Sequence, residues 1–579
     1  MGNLCVRGIA SEGTVSRINS SDSSQSQPAV LDRSSPHLVW KADSTGKWQG
    51  QGTLQDICIG VAAKHFAVIS RSSELDRLPR DLVQRVCDAL VQGGRLTLGD
   101  LQRLAGLDLD ALSLDCYGPQ VDGSWLQGLA RSPRLRRLDL SRCPRVGDQG
   151  LREVGSQLRG LQALLLGHCG AVTDQGLAHL AALERVQELD LQGCEGLAGP
   201  GLAHLAALHR LTSLSFSQCS QLSCGLGHLA GLWRLQALHL GWCLSLAAPD
   251  LEPVSLLTSL TSLNLSYTKA GDACLQKLMG LRSMQRLDLQ GCDISDVACG
   301  VICSFQSLTA LQLDHCSHVG DAGVSLLAQL PALQRLGLGY TSVADAGLLA
   351  LKSCSQLRLL DLDSCAVSDS GCRALRSLTW LEDLNLADTL VQDEALGCVS
   401  GLTALQRLNV SYTKVTDQGL QALRHLTRLT DLNLDSGCIT ASGLQHVSHL
   451  TALRVLDVFG AKVQDAGVAF LLPLLRLQRL ELFGGNLTDS GVMLLAKLPA
   501  LTWLSLAQNS RVGDRGVRSL TALTGLQCLN LNCTHITPAV LRDIAKMQSL
   551  RALSLCHTRV SASCVQALRD ACPHLLVKY

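Results

Sequence analysis

Aromatic side chains are scarce in this chain: 7 Trp, 5 Tyr and 6 Phe among 579 residues, or 3%. With 46% apolar residues and so few rings, the core must be filled mainly by Leu, Val and Ala. An excess of charge of one sign is also missing, because 50 basic residues face 49 acidic ones. That balance argues against a dedicated nucleic-acid binder, which carries a basic excess or stripe. Long apolar runs are absent too. The most apolar stretch, "VAFLLPLLRL" at 468–477, is too short to span a bilayer and contains Pro473. The first residues lack the apolar segment of a secretory signal. The 25 cysteines amount to about 4%, too few for a small disulfide scaffold. Reduced thiols in a cytoplasmic protein are therefore expected. No GxSxG elbow, P-loop, HExxH or Gly-rich dinucleotide fingerprint occurs, so neither an enzyme nor a cofactor is expected.

What is present is a comb. Leu-x-Leu pairs start at Leu112, Leu138, Leu164 and onward to Leu553, nineteen copies at spacings of 24 to 26 residues. A period in the twenties carrying L-x-x-L-x-L-x-x-C/N is the mark of leucine-rich repeats. In "LQRLNVSYT", Leu405, Leu408 and Val410 should point inward from a short strand. In "VTDQGLQALRHL", Thr416 or Asp417 should cap a helix, and Leu420, Leu423 and Leu426 should form its apolar stripe. A single unit cannot bury both faces, so neighbours must stack into a solenoid. Asp recurs at that cap in Asp148, Asp174, Asp321, Asp345, Asp369, Asp393, Asp417, Asp465, Asp489 and Asp514, so helix capping explains it better than a metal site. The final "HLLVKY" falls where the next strand is due.

Five residues after each strand leucine stands a compact polar side chain. It is Cys at 143, 169, 194, 219, 243, 292, 316 and 365, and Thr at 268, 341, 389, 413, 534 and 558. Adjacent members should lie about one strand spacing, roughly 5 Å, apart. Cysteines in a line do not make the tetrahedron that structural zinc requires, and Thr replaces them freely, so no metal is expected.

"CPRVGDQGL" and "CGAVTDQGL" resemble the cysteine-containing leucine-rich-repeat class found in F-box and related interaction proteins. The resemblance covers about residues 105–579. An MGxxC start, a Ser-rich tail and uninterrupted repeats also look like a green-lineage, plant-like family. The fold it implies is an α/β horseshoe, with parallel strands on the concave face, short helices on the convex face, and a small N-terminal helical cap. The implied use is protein recognition.

Strand residues flanking the buried leucines should line the concave face. Of the eighteen aromatics, seven are placed there: Trp242, Tyr267, Tyr340, Tyr412, Phe459, Phe483 and Trp503. Rings are enriched as anchors in protein interfaces, although some would only fill gaps between coils. Acids share the surface at Asp288, Asp314, Asp361, Asp363, Asp383, Asp388, Asp431, Asp435, Asp457 and Glu481, against Arg286, Arg335, Arg407 and Arg479. A locally acidic inner face is expected, suited to a partner with basic and apolar contact residues; the rival reading is a merely solvated strand face. The even spacing shows no long inserted loop that would build a small-molecule pocket.

Residues 1–45 read as a flexible tail, with nine serines between 11 and 36. "MGNLC" offers Gly2 for myristoylation and Cys5 for palmitoylation, although Val6 stands where Ser or Thr is usual. Two lipids would tether the protein stably to the inner face of a membrane. Residues 46–104 read as a helical cap or degenerate F-box-like module. "LDRLPRDLVQRVCDAL" is similar to the start of an F-box, and by that resemblance Leu78, Pro79, Leu82, Val86 and Leu90 would dock a Skp1-type adaptor. The later aromatic-containing part of an F-box is missing. The alternative is a cap that shields the first repeat's apolar edge.

Overall fold

The computed structural model describes residues 41–42, 48–49, 54–66 and 78–579, apart from 108, 130, 131, 133, 436 and 437. The chain forms two compact units, Met1–Ser72 and Ser73–Tyr579. In the first unit, strands Lys41–Ala42 and Trp48–Gln49 pair antiparallel, and a helix spans Leu54–Lys64.

In the second unit, twenty three-residue strands run from Ala111–Ser113 to Leu576–Lys578. Each pairs in parallel with the strand of the next repeat, and the central residues align: Leu112 with Leu138, Leu408 with Leu432, Leu553 with Val577. The paired strands make one open sheet, because Ala111–Ser113 is bonded on one side to Arg137–Asp139 and Leu576–Lys578 to Ala552–Ser554. The segment "HLLVKY" thus supplies the twentieth strand. Helical segments alternate with the strands, giving an α/β solenoid.

One repeat shows why the stack holds. Leu405, Leu408, Val410, Val415, Leu420, Leu423, Leu426 and Leu429 are each at most 1% exposed. Every such side chain contributes about 1.5–3 kcal/mol when buried. The helix over this stretch is α only from Asp417 to Leu420 and tightens to 3₁₀ over Gln421–His425. The ladder positions are buried as well. Cys169, Cys194, Cys219 and Cys243 donate Sγ–H to the carbonyls of Leu140, Leu166, Leu191 and Phe216 in the preceding repeat, at 3.1–3.3 Å. Threonine bonds within its own repeat instead: Thr268, Thr341, Thr389 and Thr413 donate to the carbonyl three residues back at 2.6 Å. Asn509 does both, reaching Leu482 and Leu506.

The recurrent aspartates act otherwise than the sequence suggested. Thr416 is the N-cap, accepting from Gln418 N, and Asp417 is the first helical residue. Its carboxylate accepts from the backbone N of Thr440, the N-cap of the next repeat, at 2.8 Å and from the Thr440 hydroxyl. Asp148, Asp393, Asp465 and Asp514 bind Thr173, Thr416, Thr488 and Thr537 in the same way. These carboxylates join repeats. A glycine two residues after the Asp recurs, and it now has a reason. A Cβ on Gly176, Gly371, Gly419 or Gly491 would overlap the carboxylate of the preceding repeat's Asp.

Helix Arg80–Gln92 covers the start of the sheet. Gln84 donates Nε2–H to the Ala111 carbonyl at 2.8 Å, while its Oε1 accepts from Asp110 N and Ala111 N. Tyr117 locks the same junction, accepting from Leu96 N and donating to the Leu90 carbonyl. At the other end, Arg569 donates to the Val577 carbonyl at 2.7 Å.

Candidate partner-binding surface

Side chains alternate across each strand, so the residues before and after the central leucine stand on the open face. One residue after that leucine, Asp or Asn recurs, and its oxygen accepts the N–H two residues further on. Asp139, Asn264, Asp288, Asp361, Asn409 and Asp457 bind the amides of Ser141, Ser266, Gln290, Asp363, Ser411 and Phe459 at 2.8–3.1 Å. Asn serves this purpose as well as Asp. The backbone therefore accounts for the polarity of the row but not for its charge.

The repeat centred on Leu336 departs from the pattern. Gly337 stands where the Asx belongs, and the amide of Gly339 is bonded by Asp314 of the preceding repeat at 2.8 Å. Two outward positions of this repeat, 337 and 339, lack side chains, and Arg335 stands at the third. A Cβ on Gly337 would overlap Gln312 Oε1, and one on Gly339 would press on Asp314 and come within 3.6 Å of Asp361. Three carboxylates, Asp314 from the preceding repeat and Asp361 and Asp363 from the following one, are thereby gathered around one gap. Burial, with the neighbouring Asp361 adding to it, pushes Asp314 up to about 7. Burial pushes Asp288 and Asp361 up to about 6. Further along, burial raises Asp457 to about 6, and burial with Asp457 nearby raises Glu481 to about 8.

Counter-charges reach only some of these acids. Arg407 pairs with Asp383 at 2.6 Å, and the Arg479 guanidinium lies 4.0 Å from the Trp503 ring centre while pulling Glu481 downward. Ser364 Oγ donates to both Asp363 and Asp388. Asp435 N is held by Asn433, Asp435 O accepts from Tyr412 N, and Asp431 accepts from Thr430.

The rings occupy two different rows. Trp503 flanks its strand leucine, and Phe459 and Phe483 stand three residues after theirs, stacked 4.0 Å apart. Trp242, Tyr267, Tyr340 and Tyr412 do not flank strand leucines as expected from alternation. They stand four residues after them, in the turn, with φ between +53° and +64°. Arg142, His168, Gln218, His315, Asp388, Gln508 and His557 share that left-handed position. Their side chains stack along the sheet edge: Trp242 on Tyr267 at 4.1 Å, and His315 on Tyr340 at 4.4 Å. Tyr267 leans over Gly291 and lies 6.3 Å from His315, so the column runs on across the glycine. The sequence reading missed His315 as a member. Its only signal is the register it shares with Tyr267 and Tyr340.

The thiols of the ladder are poor nucleophiles. Burial pushes Cys143, Cys219, Cys243 and Cys316 up to about 12. Among the described residues, no three His, Cys, Asp or Glu side chains are placed to hold a metal ion.

At the N-terminal helix, Val86 and Leu90 are 3% and 1% exposed, while Leu78 and Pro79 are exposed and Leu82 is half-buried. Gly2 and Cys5 lie outside the described residues. Among the described residues, no helix is long and apolar enough to cross a membrane.

A family model described as a leucine-rich repeat region matches residues 343–575, and a second leucine-rich-repeat model matches 131–155, 280–303 and 306–328. The chain belongs to the leucine-rich-repeat superfamily. Solved structures similar to this leucine-rich-repeat chain include an internalin from Listeria monocytogenes, at 22% identity over 62% of this chain and 89% of that one, with a TM-score of 0.43. A leucine-rich-repeat protein of Leptospira interrogans matches at 19% identity over 83% and 98%, with a TM-score of 0.32. A TLR13–ssRNA13 complex matches at 19% identity over 81% and 70%, with a TM-score of 0.44.

Proposed function

We propose that this leucine-rich-repeat protein is a non-catalytic recognition scaffold whose concave face takes a protein partner with basic and apolar contact residues. The observation that carries this reading is the juxtaposition of half-exposed rings with carboxylates held above their ordinary range between Trp242 and Trp503. Cationic groups relieve such acids, and rings supply contact area at small entropic cost. No role is assigned to nucleic acid. The test is fluorescence anisotropy at low salt with a labelled (Arg-Leu)4 peptide and its (Glu-Leu)4 counterpart. Binding of the first alone is the expected result, and equal binding of both removes the electrostatic basis.

A finer reading makes the protein the substrate-recognition subunit of a Skp1–cullin–F-box-type ubiquitin ligase, acting in ubiquitin-dependent protein catabolism. The exposure of Leu78 and Pro79, with Leu82 beside them, supports an adaptor contact at the helix start. Burial of Val86 and Leu90 supports the rival role of the same helix as a cap. Pull-down of a Skp1-type adaptor by the wild type, abolished in Leu78→Asp/Leu82→Asp, would establish the ligase role. Failure of the wild type to bind would leave a scaffold, for which N-acylation at Gly2 and Cys5 is the proposed cytoplasmic membrane tether. Metabolic labelling with a clickable myristate analogue, lost in Gly2→Ala, tests that tether.

A further inference from the structure

We propose that the gap over Gly337 and Gly339 is the seat of one arginine side chain of the partner, its guanidinium held by the Asp314, Asp361 and Asp363 carboxylates and stacked on the His315–Tyr340 rings. This inference rests on the recognition-scaffold reading above and assigns it a specific residue class and place.

Neither glycine is left-handed, so the backbone does not demand glycine there. What the two positions share is a missing side chain on the open face, beside the carboxylates of Asp314, Asp361 and Asp363 and the amide oxygen of Gln312. Gln312 Oε1 is buried without a hydrogen-bond donor and points over Gly337. A buried acceptor left unpaired is unfavourable, and a ligand donor would relieve it. Asp361 raises Asp314, and among the described residues no Lys or Arg forms an ion pair with Asp314, Asp361 or Asp363.

The rings belong to the same neighbourhood. After burial, Asp314 and Asp288 are what push the Tyr267 hydroxyl up, and His315 counteracts the rise of Asp363. His315 and Tyr340 stack at 4.4 Å with 17° between their planes, and Tyr340 is 49% exposed. Scattered acceptors beside a flat ring suit a guanidinium, which is planar, carries five donors and stacks on aromatic faces. An ammonium is a point charge that satisfies fewer of them.

A second acid pair supplies the internal control. Asp457 and Glu481 are in register on adjacent strands, but Arg479 already tempers both and the stacked Phe459 and Phe483 stand two residues beyond them. That pair should not need an external cation.

The experiment is anisotropy of labelled (Arg-Leu)4 with the full chain and its variants. Asp314→Asn/Asp361→Asn should weaken binding about tenfold or more, and Asp457→Asn/Glu481→Gln by less than about twofold. Both double variants relieve repulsion, so their thermal midpoints should not fall. Tyr340→Ala, on an exposed ring, should also weaken binding without touching the core. On the wild type, (Lys-Leu)4 should bind clearly more weakly than (Arg-Leu)4. Equal weakening by the two acid pairs, or equal binding of the two peptides, overturns the arginine seat and leaves the scaffold reading intact. Failure of the wild type to bind (Arg-Leu)4 overturns both.

Discussion

Repeats after Gly271 and repeats between Leu197 and Leu257 solve the same stacking problem by different means. Across 272–440, each repeat's Asp reaches the next: Asp272 to Ser295, Asp296 to Gly320, Asp321 to Ala344, Asp345 to Ser368, and so on to Asp417 and Thr440. The segments Pro200–Ala207, Leu226–Gly231 and Ala248–Leu256 begin without that Asp, and all three are 3₁₀ rather than α. There the chains approach through bare backbone. Gly199 has φ +129° and Gly225 φ +90°, and a Cβ on either would overlap a carbonyl of the adjacent repeat. The carboxylate link is therefore not required for stacking, nor is it tied to α-helical geometry, since Asp369 makes it ahead of the 3₁₀ segment Gly371–Ser377.

The largest expected effect comes from breaking the bare-backbone stretch. Gly199→Ala combines a forbidden φ with a carbonyl overlap and should cost about 3 kcal/mol or more, read as the urea midpoint. In the linked stretch, Asp417→Ala removes the acceptor of the Thr440 amide and hydroxyl hydrogens and should cost about 1–3 kcal/mol. Hydrogen exchange in that variant should accelerate around 417–447 and leave 200–257 unchanged. An equal acceleration in both stretches would show that the links do not act locally.

Acidity sharpens the contrast next. Asp345 is pushed up by burial, but bonds from Ser368 and Ser370 outweigh this and hold it below the usual carboxylate range. Its contribution is therefore present above the unfolded value and lost as pH falls below about 4. The acids of the open face have the opposite sign. Glu481 at about 8 and Asp314 at about 7 keep protons that the unfolded chain has released, so stability falls as pH rises from about 5 to 8. Urea midpoints should therefore peak near pH 5. Glu481→Gln should raise the midpoint at pH 8.5 and leave it nearly unchanged at pH 5. The smallest effect is expected from Gln218→Gly in the unlinked stretch, where φ is +63° and the side chain is exposed. Relief of that strain should exceed the added unfolded-chain entropy by about 0.5 kcal/mol, visible as a slight rise in melting temperature.

The period, the strand positions and the buried leucines were legible because each depends on residues close together in one repeat. The acids beside the strand leucines, such as Asp288, Asp361 and Asp457, were legible for the same reason, whereas Trp242, Tyr267, Tyr340 and Tyr412 stand in the turn and not beside the strand leucines. The use of Asp417 was not, since its partner Thr440 lies in the next repeat and a local reading makes it a cap. The glycine of "DQG" was opaque for the same cause: Gly419 makes room for an oxygen of Asp393, 26 residues earlier. The left-handed turn was hidden because Trp242, Tyr267 and Gln218 stand there instead of glycine. The gap at Gly337 escaped notice because an absent side chain draws attention only once its neighbours are seen to lean across it.

That left-handed turn has a further consequence. The conformation strains every residue with a Cβ to a similar degree, so the fold scarcely distinguishes Arg142 from His168, Trp242 or Tyr340. Each repeat thus offers one position whose chemistry is decoupled from its architecture. Charge, ring or hydroxyl can be exchanged there, repeat by repeat, like type in a composing stick, while the scaffold that carries them stays the same.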